Sequence, residues 1–97
     1  MYRILLSRTA IKDIDKIDKR NKPHIFAALF DLRKDPYLGK KLKGKFRNCF
    51  SLRVGFYRII YKIYSGRYAR YIEHSARYKR ELNILVIRIG HRQGIYK

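Results

Sequence analysis

The chain has 97 residues, 46% of them hydrophobic, which suffices for one small domain with a single core over residues 1–97. Its apolar runs are too short to span a bilayer, and MYRILLSR lacks the length and the cleavage site of a secretory signal, so we expect a cytoplasmic protein with no membrane-spanning segment. The single cysteine, Cys49, excludes an internal disulfide and a cysteine-rich metal site, and predicts a small, buried apolar side chain.

Positive charge is the strongest feature of the composition. Lys and Arg number 25 against 7 Asp and Glu, for a formal net charge of +18. Five of the acids lie in the first 35 residues, whereas residues 36–72 contain ten Lys or Arg and no acid. Self-repulsion on this scale predicts a polyanionic partner, whether nucleic acid, an anionic membrane surface or an acidic protein.

Two helices are predicted after a short N-terminal strand, YRILLS. Ser7 is a suitable N-cap for a helix over roughly residues 8–19, in which apolar residues recur at helical spacing. Pro23 suits the first turn of a second helix, which the Asp35–Pro36 step ends. The two helices are expected to form an αα-hairpin whose apolar positions are Ala10, Ile11, Ile14 and Ile17 in the first helix and Ile25, Phe26, Leu29 and Leu32 in the second.

A hydrophobic period of two replaces the helical period in the second half of the chain. CFSLRVGFYRIIYKIY alternates on either side of Gly55, which predicts a β-hairpin. NILVIRIG predicts a last strand with Leu85, Ile87 and Ile89 on one side and Arg88 on the other. The expected fold is α+β: an N-terminal strand, an αα-hairpin, and a mainly antiparallel sheet packed on the helices, with residues 65–83 between the third and fourth strands.

The helices are expected to cover the face that carries the apolar residues of the strands, so the basic residues of the same strands project from the other face. That open face is then cationic, and Arg in particular binds phosphate in a planar, bidentate fashion. The covered face is assigned Leu52, Val54, Ile59, Tyr61, Ile87 and Ile89, and the open face Arg53, Arg58, Lys62 and Arg88.

The residue types available for catalysis exclude several kinds of site. Glu73 and Glu81 are the only carboxylates after Asp35, and no His has a Cys or carboxylate at metal-ligand spacing, so neither a metal nor a cofactor is predicted. Arg, Lys, Tyr and His remain, a set suited to metal-free RNA cleavage. In that reaction the 2′-hydroxyl attacks the adjacent phosphate, one group takes its proton, cations stabilise the phosphorane, and another group protonates the leaving 5′-oxygen.

The stretches LKGKF, SLRVGFYRIIYKI and ILVIRIGHRQGIYK resemble the RelE branch of the RelE/ParE toxin superfamily, and the resemblance covers nearly the whole chain. It implies a RelE-like toxin of a type II toxin–antitoxin module, which cuts mRNA on the ribosome and is silenced by an acidic, RelB-like antitoxin. The catalytic positions that it implies are Arg53, Arg58, His91, Arg92 and Tyr96. Binding of RNA and the ribosome is expected at Lys40, Lys41, Lys43, Lys45, Arg47, Lys62 and Arg88.

Two features depart from the RelE pattern. Ser51 and Arg53 stand where the best-studied RelE proteins carry two lysines, and residues 65–83 exceed the usual short turn, which makes them an insertion. The sequence therefore does not identify the residue that acts as general base. The competing functions on the same fold are a ParE-like, non-catalytic inhibitor of DNA gyrase and an inactive RNA-binding homologue. The candidates for the base are Lys43, Lys45, His91 and Tyr96.

Overall fold

The structure, a computed structural model, describes residues 2–64 and 83–91. Two helices and a five-stranded, mostly antiparallel sheet are present there, so the predicted α+β fold is confirmed. Most of the predicted insertion, residues 65–82, and the predicted site residues Arg92 and Tyr96 lie outside the described residues. The elements are β1 (Arg3–Leu6), α1 (Arg8–Lys16), α2 (Lys22–Lys34), β2 (Lys40–Lys41), a 3-10 helix (Gly44–Phe46), β3 (Phe50–Val54), β4 (Tyr57–Tyr64) and β5 (Asn83–His91).

The strands lie side by side in the order β1-β5-β4-β3-β2. β1 runs parallel to β5, and the other neighbouring pairs are antiparallel. β3 and β4 form the predicted hairpin around Gly55, whose φ of +59° favours glycine. β2 is not among the predicted strands, since two consecutive lysines carry no hydrophobic alternation. Neither described helix is long and apolar enough to cross a lipid bilayer.

α1 begins where the sequence predicts. The Ser7 hydroxyl accepts a hydrogen bond from the backbone N–H of Ala10 at 2.9 Å, which caps the helix, and donates one to the carbonyl of Ile87 in β5 at 2.7 Å. The helix ends at Lys16, short of the predicted residue 19, because Ile17 already has extended dihedrals. One side chain thus caps α1 and ties it to the last strand.

α2 also follows its sequence signals. Pro23 lies in its first turn, and Asp35, in extended conformation before Pro36, ends it. Both helices cover one face of the sheet and enclose with it a core that we call the helix-side core. Its buried members are Ala10, Ile17, Ile25, Ala28, Leu29, Leu32, Ile59, Tyr61, Ile84, Val86 and Ile89.

Two residues predicted on the apolar faces of the helices are half exposed instead, Ile11 at 50% and Phe26 at 52%. Each directly follows a buried residue, Ala10 or Ile25, and successive residues of a helix are turned by about 100°. The side chains of Ile11 and Phe26 are therefore turned away from the part of each helix that packs on the sheet.

β5 contains an irregularity that changes which of its residues face the helices. Ile60 pairs with Arg88, but the next residue of β4, Tyr61, pairs with Val86. Ile87 is therefore an extra residue on β5, a β-bulge. It packs against Ile60 outside the helix-side core, so its predicted position beneath the helices is wrong.

Arg88, next to this bulge, reaches α1 instead of projecting from the helix-free face. Its Nε and Nη2 lie 3.3 and 3.4 Å from the carboxylate oxygens of Asp13, and the backbone N–H of Ile89 donates to Asp13 Oδ2 at 2.9 Å. The predicted alternation is wrong here because the extra residue interrupts it. Leu85, predicted on the helix side, is likewise absent from the helix-side core.

Tyr61 joins the centre of the sheet to the connection between α2 and β2. Its fully buried hydroxyl donates to the carbonyl of Pro36 at 2.7 Å and accepts from the backbone N–H of Gly39 at 2.9 Å. A Cβ at position 39 would lie 2.5 Å from that hydroxyl oxygen, so the approach needs glycine. Burial raises the pKa of Tyr61 and the charge of Asp35 adds to this, while the Gly39 N–H opposes it.

Removal of the Asp13 carboxylate tests the link between α1 and the bulge. Asp13→Ala should lower the free energy of unfolding by about 1.5–3 kcal/mol, the range for hydrogen bonds to a charged group. Urea denaturation measures the loss, with Asp15→Ala as the control, because Asp15 is an exposed acid of the same helix. Equal losses in the two variants would show that the buried contact adds nothing.

Tyr61→Phe should lower the free energy of unfolding by about 1–3 kcal/mol at neutral pH, because it leaves the buried Pro36 carbonyl and the Gly39 N–H without their partner. The pKa of Tyr61 is higher in the folded than in the unfolded protein. The stability it contributes is therefore complete below pH ~10 and is lost as the pH rises through the folded pKa.

The stability difference between wild type and Tyr61→Phe should consequently shrink in alkaline urea titrations. Tyr37→Phe, which removes the hydroxyl of a tyrosine that is 62% exposed, is the control for the loss of one phenol. A stability difference between wild type and Tyr61→Phe that grows with pH would contradict a raised pKa for Tyr61.

Candidate nucleic-acid-binding face

The helix-free face of the sheet carries a directly opposed pair of arginines. Arg53 of β3 pairs with Arg58 of β4, and their strand neighbours Leu52 and Ile59 pair on the helix side. Since side chains alternate along a strand, both arginines lie on the face away from the helices, as predicted. Arg53 is exposed and Arg58 is half-buried.

A buried hydroxyl lies beside the pair. Ser51, 4% exposed, accepts a hydrogen bond from Arg58 Nη1 at 3.4 Å through its Oγ. Like charges directly opposite each other destabilise a sheet, and an anion bound between two guanidinium groups reverses that effect. The paired positions of the two arginines and their positive charge are suited to a phosphate.

The basic segment, residues 40–47, borders this face. Lys40 pairs with Ser51 and so shares the helix-free face, whereas Lys41 pairs with Phe50, which packs on the helix side. The predicted RNA-binding residues of the segment are all exposed to solvent: Lys40, Lys41, Lys43, Lys45 and Arg47.

A second, smaller core anchors the basic segment. Leu42 and Phe46 pack against Cys49 and Ile60 on the helix-free face, together with Ile87. The expectation that this face is open is therefore only partly right, since apolar side chains cover part of it. Sequence reasoning missed this core, although two apolar residues four apart in a run of lysines were a signal for it. Burial of the free Cys49, at 4% exposure, confirms the prediction for that residue.

The other predicted basic residues differ in their surroundings. Lys62 is half-buried and lies two residues beyond Ile60 on β4, so alternation places it on the helix-free face. Arg88 is instead engaged with Asp13. The cationic face therefore consists of Lys40, Arg53, Arg58 and Lys62, and the rest of the basic segment borders it.

His91 lies on the other side of the sheet from the arginine pair. It pairs with Tyr57, whose side chain packs on the helix-side core, and the two rings meet edge to face with centroids 5.8 Å apart. The ring of Phe56, in the turn of the hairpin, stacks on His91 at 6.2 Å and 4°. Of the five predicted catalytic residues, the structure brings together Arg53 and Arg58 and separates His91 from them.

The described residues contain no group of three or more His, Cys, Asp or Glu side chains placed to hold a metal ion. The chemistry that the helix-free face offers is electrostatic: fixed positive charges beside a buried hydroxyl. The residue types of this face are those suited to a phosphodiester and to additional negative charge on it.

Comparison with known proteins finds similar sequences and a similar fold. The family model "ParE toxin of type II toxin-antitoxin system, parDE" matches residues 4–96. Toxin RelG of Mycobacterium tuberculosis (strain ATCC 25618 / H37Rv) is 29% identical over 98 residues, which cover 99% of this chain and 97% of RelG.

Two solved structures are similar. The toxin–antitoxin complex RelBE2 from Mycobacterium tuberculosis contains a chain with a TM-score of 0.70 and 26% identity, over 94% of this chain and 98% of that one. The intact E. coli RelBE toxin–antitoxin complex gives a TM-score of 0.67 at 19% identity, over 94% and 96% of the chains, and supports the fold alone. With a family match that spans almost every residue, the protein belongs to the ParE toxin family of type II toxin–antitoxin systems, within the RelE/ParE superfamily that its sequence indicated.

Proposed function

We propose that this toxin is a ribosome-dependent, metal-independent mRNA endonuclease that blocks translation. The observation that carries the proposal is the opposed pair Arg53 and Arg58 on the helix-free face, bordered by the basic segment. The resemblance to the RelE branch and the full-length similarity to Toxin RelG support it. Two arginines at paired positions of neighbouring strands, on one face of the sheet, are suited to a phosphate whose charge increases during reaction.

In the proposed mechanism Arg53 and Arg58 bind the scissile phosphate. The 2′-hydroxyl attacks it, the P–O bond to the 5′-oxygen breaks, and the fragments leave with a 2′,3′-cyclic phosphate and a free 5′-hydroxyl. As the sequence resemblance implies, the positive charge of Arg92 helps to stabilise the phosphorane, and Tyr96 transfers a proton. The position of His91 on the other side of the sheet favours the remaining candidates for general base, namely Lys43, Lys45 or Tyr96.

The partners in this proposal are the ribosome, mRNA and a cognate antitoxin. Both structural neighbours are toxin–antitoxin complexes, and an acidic, RelB-like antitoxin matches a face whose exposed charges are all positive among the strand residues described. Neutralisation of the arginine pair is sufficient to stop the chemistry. The proposal requires no cofactor and no membrane.

A second candidate function is inhibition of DNA gyrase without cleavage, which the match to the ParE family model favours. Both functions use the same fold, so fold similarity does not separate them. An inactive, RNA-binding homologue is the third reading. The paired arginines support cleavage over simple binding, because two positive charges on neighbouring strands are suited to the extra negative charge that a phosphate gains during cleavage.

Substitution of the arginine pair tests the proposal. Arg53→Ala and Arg58→Ala should each slow mRNA cleavage on translating ribosomes by about 10²- to 10³-fold, the cost of removing one preorganised charge donor. Ribosome binding should change much less, since each removes one charge among many. Arg20→Ala, which removes an exposed arginine between the helices, is the control and should cleave at the wild-type rate.

The assay is primer extension on a defined message, with the ends of the products identified chemically. Wild-type rates in both arginine variants, or products without a 2′,3′-cyclic or 3′-phosphate, would contradict the proposal.

A parallel gyrase assay separates the two toxin functions. We expect the purified chain to leave DNA supercoiling unchanged at concentrations that stop translation in a cell-free system. Inhibition of supercoiling together with normal translation would overturn the nuclease proposal in favour of the ParE-like function.

A further inference from the structure

Phe56 is the most exposed large apolar side chain of the described residues, at 72%. It lies in the two-residue turn between β3 and β4, after Gly55. Hairpin turns usually carry small or polar residues, because a large apolar ring there gains nothing from folding. Its position therefore requires another explanation.

The Phe56 ring packs on the ring of His91. It lies parallel to His91, with an interplanar angle of 4°, and the Tyr57 ring meets His91 edge on at 65°. His91 thus supports one side of the Phe56 ring while most of the ring stays in solvent. A flat, supported and solvated aromatic surface is the geometry on which unpaired nucleobases stack.

The surroundings of Phe56 favour nucleic acid over an apolar partner. It follows Arg53 by three residues and precedes Arg58 by two, so at strand spacing the paired arginines lie within roughly 10 Å. Neither β3, β4 nor their turn contains an acid. The Phe56 ring stacks on His91, on the other side of the sheet from the arginines, so an RNA strand whose phosphate binds the arginines reaches the ring by passing round the end of the hairpin.

We propose that Phe56, supported by His91, is the stacking platform for an unpaired base beside the scissile phosphate, and thereby positions the RNA for cleavage. This rests on the proposed nuclease function and extends it to a residue outside the charged face. Stacking accepts any base but depends on an aromatic side chain.

The absence of tryptophan from the sequence allows a direct test. Phe56→Trp introduces a single fluorescent reporter at the platform, and Phe26→Trp introduces one at a half-exposed position on α2 as the control. The probes are a short single-stranded oligoribonucleotide and an abasic strand with the same number of phosphates. The oligoribonucleotide should quench the reporter at position 56 and leave that at position 26 unchanged, and the abasic strand should quench neither.

Cleavage and binding by further variants complete the test. Phe56→Leu should weaken binding of the oligoribonucleotide roughly 5- to 150-fold, the value of one base–aromatic stack, and Phe56→Tyr should restore it. On ribosomes Phe56→Leu should also slow cleavage or change the sites that are cut.

The outcomes distinguish this inference from the proposed function. If wild type cleaves mRNA but Phe56→Leu binds and cleaves like wild type, or both strands quench the reporter equally, the platform is wrong and the nuclease stands. A reporter that responds only to the antitoxin would overturn the inference in favour of a protein contact. If wild type does not cleave, the nuclease proposal fails whatever the fluorescence shows.

Discussion

The buried carboxylate of Asp13 is the interaction on which the arrangement of this protein depends. It accepts hydrogen bonds from the Ile89 backbone and the Arg88 guanidinium at the bulge of β5, and so fixes α1 against the strand that lies between β1 and β4. A carboxylate that is 8% exposed is tolerated only because these donors replace water. Their positions in turn determine which residues of β5 face each side.

The bulge lets one strand contribute to two cores. Ile84, Val86 and Ile89 belong to the helix-side core, while the extra residue, Ile87, packs with the smaller core around Ile60. That smaller core holds the basic segment in place, although the exposed lysines along it repel one another. Burial of an apolar side chain stabilises by about 1.5–3 kcal/mol, enough to offset several weak repulsions between solvated charges.

Much of the fold is predictable from local signals. Ser7, Pro23 and the Asp35–Pro36 step predict the helix ends because capping and proline geometry depend on few neighbours. Alternation predicts the hairpin and the face of Arg53 and Arg58, since both strands are regular.

The errors have a common physical origin in tertiary contacts. Alternation fails in β5 because a bulge interrupts it, and the acid that bonds to the backbone beside the bulge comes from α1, which no local pattern contains. The sequence of the basic segment indicates a run of solvated charges. Its Leu42 and Phe46 nevertheless pack against Ile60, which lies on β4. His91 is assigned to the arginine pair by resemblance, whereas strand register places it with Tyr57.

The parallel pairing of β1 with β5 has a kinetic consequence. Ser7, which follows β1 directly, caps α1 locally but also bonds to Ile87, 80 positions later, so the first strand and this second Ser7 bond have no partners until the last strand is present. Contacts this distant in sequence carry a large loop-closure entropy and form late. A chain whose synthesis stops before β5 keeps the Tyr61 hydrogen bonds to the connection after α2, but it lacks the strand that pairs with β1 and bonds to α1. Assembly of the cationic face with its supporting helices is thus a late, cooperative event, and fragments of this toxin are expected to be unfolded and harmless.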